Sequence, residues 1–176
     1  RTIEPGLETA ALAGPGLTVI VGQQIHTSDG ELVGLFLTDA IADGRSAADT
    51  AADVHSQGGV VMVPHPVWGE PPTPQTLAQM RRELDCFEMV VGGASTMRGA
   101  ITVENARLAQ RFGSAITAGS GASSPEDIGS AHLRMRPFES AGDFLVALED
   151  ADPVQRRRGM RPRTQRERRR PEEPST

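Results

Sequence analysis

A chain of 176 residues that is 38% hydrophobic and 23% charged is long enough for one domain with a sizeable core. Its composition is that of a globular protein and excludes fibrous and wholly disordered classes. No apolar run approaches the roughly 20 residues of a bilayer span, and no signal peptide is visible. The single cysteine, Cys86, cannot form an internal disulfide, so a cytoplasmic location is expected. The opening Arg1-Thr2-Ile3-Glu4-Pro5, without an initiator Met, reads as a fragment or a trimmed chain. The net charge of −5 divides unevenly. Nine arginines and three glutamates between Val154 and Thr176 give that tail +6 and leave residues 1–153 at −11. The tail has no aromatic or branched apolar residue after Val154, so it is expected to be a disordered basic segment following a domain of residues 1–153.

In chain order, Pro5–Leu12 reads as a short helix closed by Gly14-Pro15-Gly16, and Thr18–Val21 as a buried strand. Ser28-Asp29-Gly30 is a hairpin turn leading into a strand over Glu31–Leu37. Ser46 caps a helix that presents Ala47, Ala51, Val54 and the aliphatic part of Gln57 on one side, and Gly58-Gly59 stops it. Val60–Val63 is an unbroken apolar run of the kind found in parallel strands covered on both faces. Thr73-Pro74 opens a helix to about Leu84, Cys86–Val91 is a strand, Thr102–Arg111 a helix and Ala115–Ala118 a strand. His132–Arg136 is a weaker strand, and Ser140 caps a last helix over Ala141–Glu149. This alternation means an α/β fold with a mostly parallel sheet, either open and doubly wound or part of a barrel.

In such folds, chemistry sits beyond the C-terminal ends of parallel strands. Four such ends carry distinctive text. They are Val21-Gly22-Gln23-Gln24 with Gly34-Leu35 behind it, Gly58-Gly59 through Pro64-His65-Pro66, Leu84-Asp85-Cys86-Phe87-Glu88, and Thr117-Ala118-Gly119-Ser120-Gly121-Ala122-Ser123. Asn105-Ala106-Arg107-Leu108-Ala109 and Ile128-Gly129 flank the last. In this order and spacing, over roughly residues 1–150, the chain resembles the C-terminal part of the PHP (polymerase and histidinol phosphatase) superfamily of metallo-phosphoesterases. The resemblance implies an incomplete or distorted βα barrel of the PHP type that lacks its first βα units, and a site for two or three divalent metals (Zn, Mn or Mg).

Carried residue by residue, the family's Gly-x-Glu carboxylate falls on Gln24 and its His-Pro histidine on His65, which is intact. Its Ser-Asp-Ala-His segment falls with Asp on Gly121 and His on Ser123. The family's earlier ligands belong upstream of Arg1. A multinuclear centre needs carboxylates and imidazoles to offset several positive charges. Gln24 is uncharged, Gly121 offers no side-chain donor and Ser123 is a neutral hydroxyl, so His65 is expected to be a vestigial ligand and no cofactor is expected for this chain. His26, two residues past Gln24 and on the same face of a continuing strand, and Glu88, inside an apolar strand, are the possible site-facing residues.

Other residues have structural explanations: Cys86 as a buried small hydrophobe, His55 and His132 as ordinary residues, and Asp29, Glu31, Asp39 and Asp43 in turns and caps. Gly92-Gly93-Ala94-Ser95-Thr96 and Gly119-Ser120-Gly121 are Gly-rich but have no P-loop lysine, and Trp68 either lines a pocket mouth or packs under a loop. The expected function is a degenerate PHP-like domain with a structural, regulatory or ligand-binding role. The alternative is part of an active divalent-metal-dependent phosphoesterase whose remaining ligands lie upstream, with His26 or Glu88 compensating. The partner is unspecified; weak polyanion binding by the arginine tail is the one interaction its composition suggests.

Overall fold

The computed structural model describes residues 2–64, 72–91, 106–122 and 124–155. Its main sheet has the strand order β1 (Gly22–Thr27), β2 (Gly30–Leu35), β3 (Val60–Val63), β4 (Cys86–Val91), β5 (Ala115–Gly119). The first two pairings are antiparallel and the last two parallel, so the sheet is mixed, not mostly parallel. Two successive reversals turn β1 back to the direction of β3, β4 and β5, and the C-terminal ends of these four strands share one edge. A second, two-stranded sheet pairs β6 (Ala131–Arg134) with β7 (Asp152–Gln155). That pairing includes Val154 and Gln155, so ordered backbone runs two residues past the expected boundary at 153, while residues 156–176 lie outside the described residues.

Helices α1 (Glu4–Leu12), α2 (Ala47–Ser56), α3 (Pro74–Gln79), α4 (described over 106–112) and α5 (Ala141–Glu149) complete the domain. Helix α2 begins where Ser46 Oγ accepts from the Asp49 amide at 3.1 Å and Asp29 Oδ2 accepts from the Ala47 amide at 2.8 Å. Both bonds satisfy donors that a helix start leaves orphaned, and the second ties the hairpin turn to the helix. Gly58 ends the element at φ +72, a conformation side chains other than glycine adopt at a cost.

Two boundaries differ most from the sequence reading; β2 and β6 each end two residues earlier than expected, and β7 was not expected. The first strand covers Gly22–Thr27, not Thr18–Val21. The turn at Ser28-Asp29 sets the register, with Thr27 opposite Gly30 and Gly22 opposite Leu35. Val21, just before the strand, is buried and packs near Gly6 of α1. Helix α3 stops at Gln79 and the chain turns through Met80–Glu83. That turn buries both Met80 and Leu84 and delivers the Asp85 amide to the Val61 carbonyl, which a continuous helix would not do.

The sheet has two unlike faces. Ile25, Leu32, Val61, Val63 and Phe87 point to one side and pack with Ala51 and Val54 of α2, Leu77 of α3 and Phe112 of α4. Each such side chain contributes on the order of 1.5–3 kcal/mol when fully buried. On the other side, Val60 and Cys86 pack with Phe144 and Leu148 of α5, and Leu35, Met62 and Leu133 adjoin them. The backbone of Phe36, at the end of β2, has φ +59, which is uncommon outside glycine. Its ring is held 6.3 Å from Phe138 and 5.4 Å from Phe144, centroid to centroid.

Candidate functional site

The face opposite the main core changes character toward the C-terminal strand edge. The register sets Gln24, Val33, Met62, Cys86 and Ala115 in one row across the sheet. One pleat further on, in the direction of β3–β5, come His26 paired with Glu31 and Glu88 paired with Thr117. On β2, β4 and β5 the apolar Val33, Cys86 and Ala115 thus give way to the polar Glu31, Glu88 and Thr117 two residues along.

Glu31 is the centre of the better defined part. Its side chain is only 8% exposed. Oε2 accepts from Gln24 Nε2 at 2.5 Å, and Oε1 lies 2.7 Å from His26 Nδ1. The His26 backbone is fixed in turn, its amide donating to Asp43 Oδ1 at 2.9 Å and its carbonyl accepting from the Gly44 amide at 2.7 Å. Next to Gln24, Gln23 faces the other way and grips the same loop, donating to the Ile41 carbonyl at 2.7 Å and accepting from the Ile41 amide at 2.9 Å. The loop over residues 41–46 is thereby fastened along the outer edge of β1, which protects an edge strand from pairing elsewhere.

Glu31 was expected to belong to a turn. It is instead a buried carboxylate holding Gln24 and His26, the two polar side chains on that face of β1. The signal was present in the hairpin: a two-residue turn at Ser28-Asp29 places position 31 directly opposite position 26, on the same face.

Glu88 is half-buried on β4, two strands from Glu31, a separation of roughly 10 Å at the usual strand spacing. A Cβ on Gly119 would fall 2.3 Å from Glu88 Oε1, so the glycine makes the room in which this carboxylate lies. Beside it, Thr117 Oγ1 is 3.2 Å from the Met62 sulfur and 3.3 Å from the Phe87 carbonyl oxygen. After β5, Ser120 Oγ donates to the Ala131 carbonyl at 3.0 Å and accepts from the Gly129 amide at 2.8 Å, fixing the strand-end loop to β6. Gly121 follows at φ +53, exposed.

Of the residues expected at the site, Gln24 and His26 are brought together through Glu31, and Glu88 lies in the same polar row on the far side of β3. His65 and Ser123 fall outside the described residues, as do Trp68, the Gly92–Thr96 stretch and Asn105. His55 contacts a carboxylate: its Nε2 is 2.9 Å from Asp85 Oδ2, which also accepts from the Val61 amide at 2.7 Å. Cys86 is fully buried, and burial first, then the carboxylates of Asp85 and Glu88, push its thiol far above the ordinary range. It is therefore no nucleophile at neutral pH.

Among the described residues, no group of three or more His, Cys, Asp or Glu side chains is placed to hold a metal ion. Gln24 is neutral, Gly121 has no side-chain donor, and both Glu31 oxygens face partners within the protein. Nor is any helix among these residues long and apolar enough to cross a membrane.

No family model matches the chain. An uncharacterised protein of Methanocaldococcus jannaschii is 41% identical over 67 residues, which are 38% of this chain and 39% of that protein. Two solved structures share the fold. PsfC from Pseudomonas syringae PB-5123 superposes with a TM-score of 0.59 at 15% identity, over 81% of this chain and 62% of its own. A two-domain protein from Bacteroides vulgatus, described as containing a predicted PHP-like metal-dependent phosphoesterase, gives 0.57 at 15% identity over 88% and 49%. The chain thus spans less than two thirds of each of these relatives. At such identities the likeness is one of fold, and the fold is α/β with a PHP-like neighbour.

Proposed function

We propose that this chain is the C-terminal part of a PHP-like domain, an incomplete βα barrel, whose metal chemistry has been replaced by an internal hydrogen-bond network and which serves as a ligand-binding or structural module. The observation that carries this reading is the Gln24–Glu31–His26 cluster. Where the family resemblance places a metal-bridging carboxylate there is a neutral amide, and it donates to a buried glutamate. A carboxylate engaged on both oxygens within the protein loses those bonds if it turns to a cation. Gly121 and Ser123 at the other ligand positions support the same reading, and His65 stands as a vestigial ligand. No divalent cofactor is proposed for this chain. Its domain is taken to end near residues 153–155, and the arginine-rich remainder to contribute weak, salt-sensitive attraction to polyanions.

The test is metal analysis of the purified chain with a phosphomonoester assay under added manganese and zinc. The expected result is substoichiometric metal and no hydrolysis above background. Binding of one or more equivalents, abolished by His65→Ala, would overturn it.

One observation favours the second reading, part of an active divalent-metal-dependent phosphoesterase. Glu31 brings a carboxylate, and His26 an imidazole, to the position where Gln24 lacks charge. A longer chain that supplies a His-x-His strand end and then hydrolyses phosphomonoesters, with loss on Glu31→Gln, would establish that reading instead.

A further inference from the structure

Although residues 1–153 carry a net −11, their charges are unevenly placed. Seven arginines of the domain are described, and four of them, Arg81, Arg82, Arg107 and Arg111, belong to the turn after α3 and to α4. The other three lie among acids. Arg45 pairs with Asp49 and Asp53, Arg134 is opposite Asp152 across β6 and β7, and Arg136 shares a surface hollow with Glu139 and Asp143. Described residues 72–91 and 106–122 contain three acids, Glu83, Asp85 and Glu88; none of these is exposed, whereas all four arginines are. One Glu83 oxygen is fully buried, and Asp85 Oδ2 is engaged by the Val61 amide and His55. Negative charge is thus turned inward on this face and positive charge outward.

Phe112 draws the arginines together. Arg111 Cζ lies 5.7 Å from its ring centroid, and Arg81 lines the same hollow as Phe112 and Gly113. A guanidinium resting on a ring keeps its charge and its outward donors. Arg107 precedes Arg111 by four residues on α4, about 6 Å along the helix axis. Gln79 and Gln110, both exposed, add amide donors beside them. Glu149 of α5 also lines the hollow and bounds the cationic surface on that side. Phe87 and Phe112, the aromatic residues described on these segments, are buried, so the face has no ring on which a base could stack.

Nine further arginines lie in residues 156–176. Together the two groups need a partner with dense, regular negative charge, and a nucleic acid supplies one phosphate per nucleotide where an acidic protein scatters its carboxylates. Twenty-one residues reach at most about 70 Å, more than the width of a domain of this size, so one strand can engage both. We propose that the α3–α4 face, centred on Arg81, Arg107 and Arg111, binds the phosphate backbone of a nucleic acid jointly with the arginine-rich segment and without reading sequence. The inference rests on the polyanion attraction already proposed for residues 156–176 and gives it a structured second half. Alone the face does not hold a polyanion, because the rest of the domain repels one.

The experiment uses the full 176-residue chain and the fluorescence anisotropy of a labelled thymidine oligonucleotide across a salt series. Arg81→Gln, Arg107→Gln and Arg111→Gln combined should flatten the slope of log K against log salt by about 2, at about 0.7 per contact, and weaken binding at least about tenfold at low salt. Gln at Arg45, Arg134 and Arg136 removes the same charge and should weaken it by less than about threefold. Lys at the three α3–α4 positions should keep the wild-type slope. If the first variant does not fold, phenylglyoxal modification of the wild type, read by mass spectrometry, decides: the oligonucleotide should shield Arg81 and Arg111 and leave Arg134 reactive. The proposal is overturned if the two Gln variants lose affinity alike, if Arg81 and Arg111 are not shielded, or if polyglutamate displaces the oligonucleotide at equal charge, which would make an acidic protein the partner. Unchanged binding after removal of residues 156–176 would instead refute the part given to that segment, since the face is read separately through its own slope.

Discussion

Replacing Gln24 by Glu returns the carboxylate that the family resemblance places there, and it tests the Glu31 network directly. In the variant two carboxylates meet where the amide now donates to Glu31 Oε2 at 2.5 Å. Two unit charges about 4 Å apart repel by roughly 4 kcal/mol at an effective dielectric of about 20. Gln24 is only half-buried, so screening reduces this by about half. Loss of a charge-assisted hydrogen bond, worth about 1.5–3 kcal/mol, overlaps with the same term. The net expectation is a loss of about 3 kcal/mol at pH 7, read by urea unfolding followed by circular dichroism. The sign with pH is fixed by linkage. Crowding raises the affinity of the variant's carboxylate pair for a proton above the ordinary value near 4. The folded variant then binds a proton that the unfolded chain releases, so the deficit is absent below about pH 4 and grows as pH rises toward 7. His26 neighbours Glu31 in both proteins and contributes to the difference only at second order. A Gln24→Glu protein as stable as wild type at pH 7 in EDTA would refute the account of Glu31 as the partner of a neutral amide. Stabilisation by added manganese in the 176-residue chain would do the same for the metal-free reading.

Three further outcomes are expected. Gly59→Ala should destabilise by about 2 kcal/mol in the same unfolding assay, because its Cβ would stand 2.8 Å from the Leu35 carbonyl oxygen and 2.9 Å from that of Val54, backbone atoms that cannot swing aside. Cys86 should resist alkylation in the native protein at pH 8 and react at the rate of unfolding, measured by mass spectrometry across a urea series; native-state labelling would contradict its burial. Since its folded thiol is raised above 9.0, its contribution is fully present below that value and is lost as pH climbs past it. Removal of residues 156–176 should leave Tm within about a degree and abolish retention on heparin at low salt, because the nine arginines all lie there; a large drop in Tm would mean that the segment packs on the domain.

The order of strands and helices from Ser28 to Glu149 was legible because many of these elements carry their own punctuation: the Ser28-Asp29 turn, the Ser46 and Ser140 caps, and the Gly58-Gly59 stop; the strand over Asp152–Gln155 was not read. The first strand was misplaced because hydrophobicity favoured Thr18–Val21. Pairing instead chose Gly22–Thr27, whose glutamines are satisfied by Ile41 and Glu31, partners invisible in a local window. The helix at Thr73 was drawn too long because Met80 and Leu84 keep helical spacing; only the need to deliver Asp85 to Val61 shows that the chain turns first. At the site, strand parity put Gln24 and His26 on one face of their strand, as the register has them; Glu88, expected only as a possible site-facing residue, is on the same side of the sheet. Glu31 was missed although the same parity, taken through the hairpin, leads to it.

The unlike faces of the sheet suggest how such a protein changes over time. Ile25, Leu32, Val61, Val63 and Phe87 are locked into helices on one side, where nearly any replacement leaves a void or a clash. Gln24, His26, Glu88 and Gly121 are on the other face or at the strand ends, where Gln24 and Glu88 are half-buried and His26 and Gly121 exposed, so a replacement there costs hydrogen bonds more than packing. Selection can therefore rewrite the chemistry by exchanging partners such as Gln24 and Glu31 together while the scaffold goes on folding. In a lineage built on this plan, the architecture will outlast any particular reaction, and relatives will agree in their buried helices long after they disagree about what their strand ends hold.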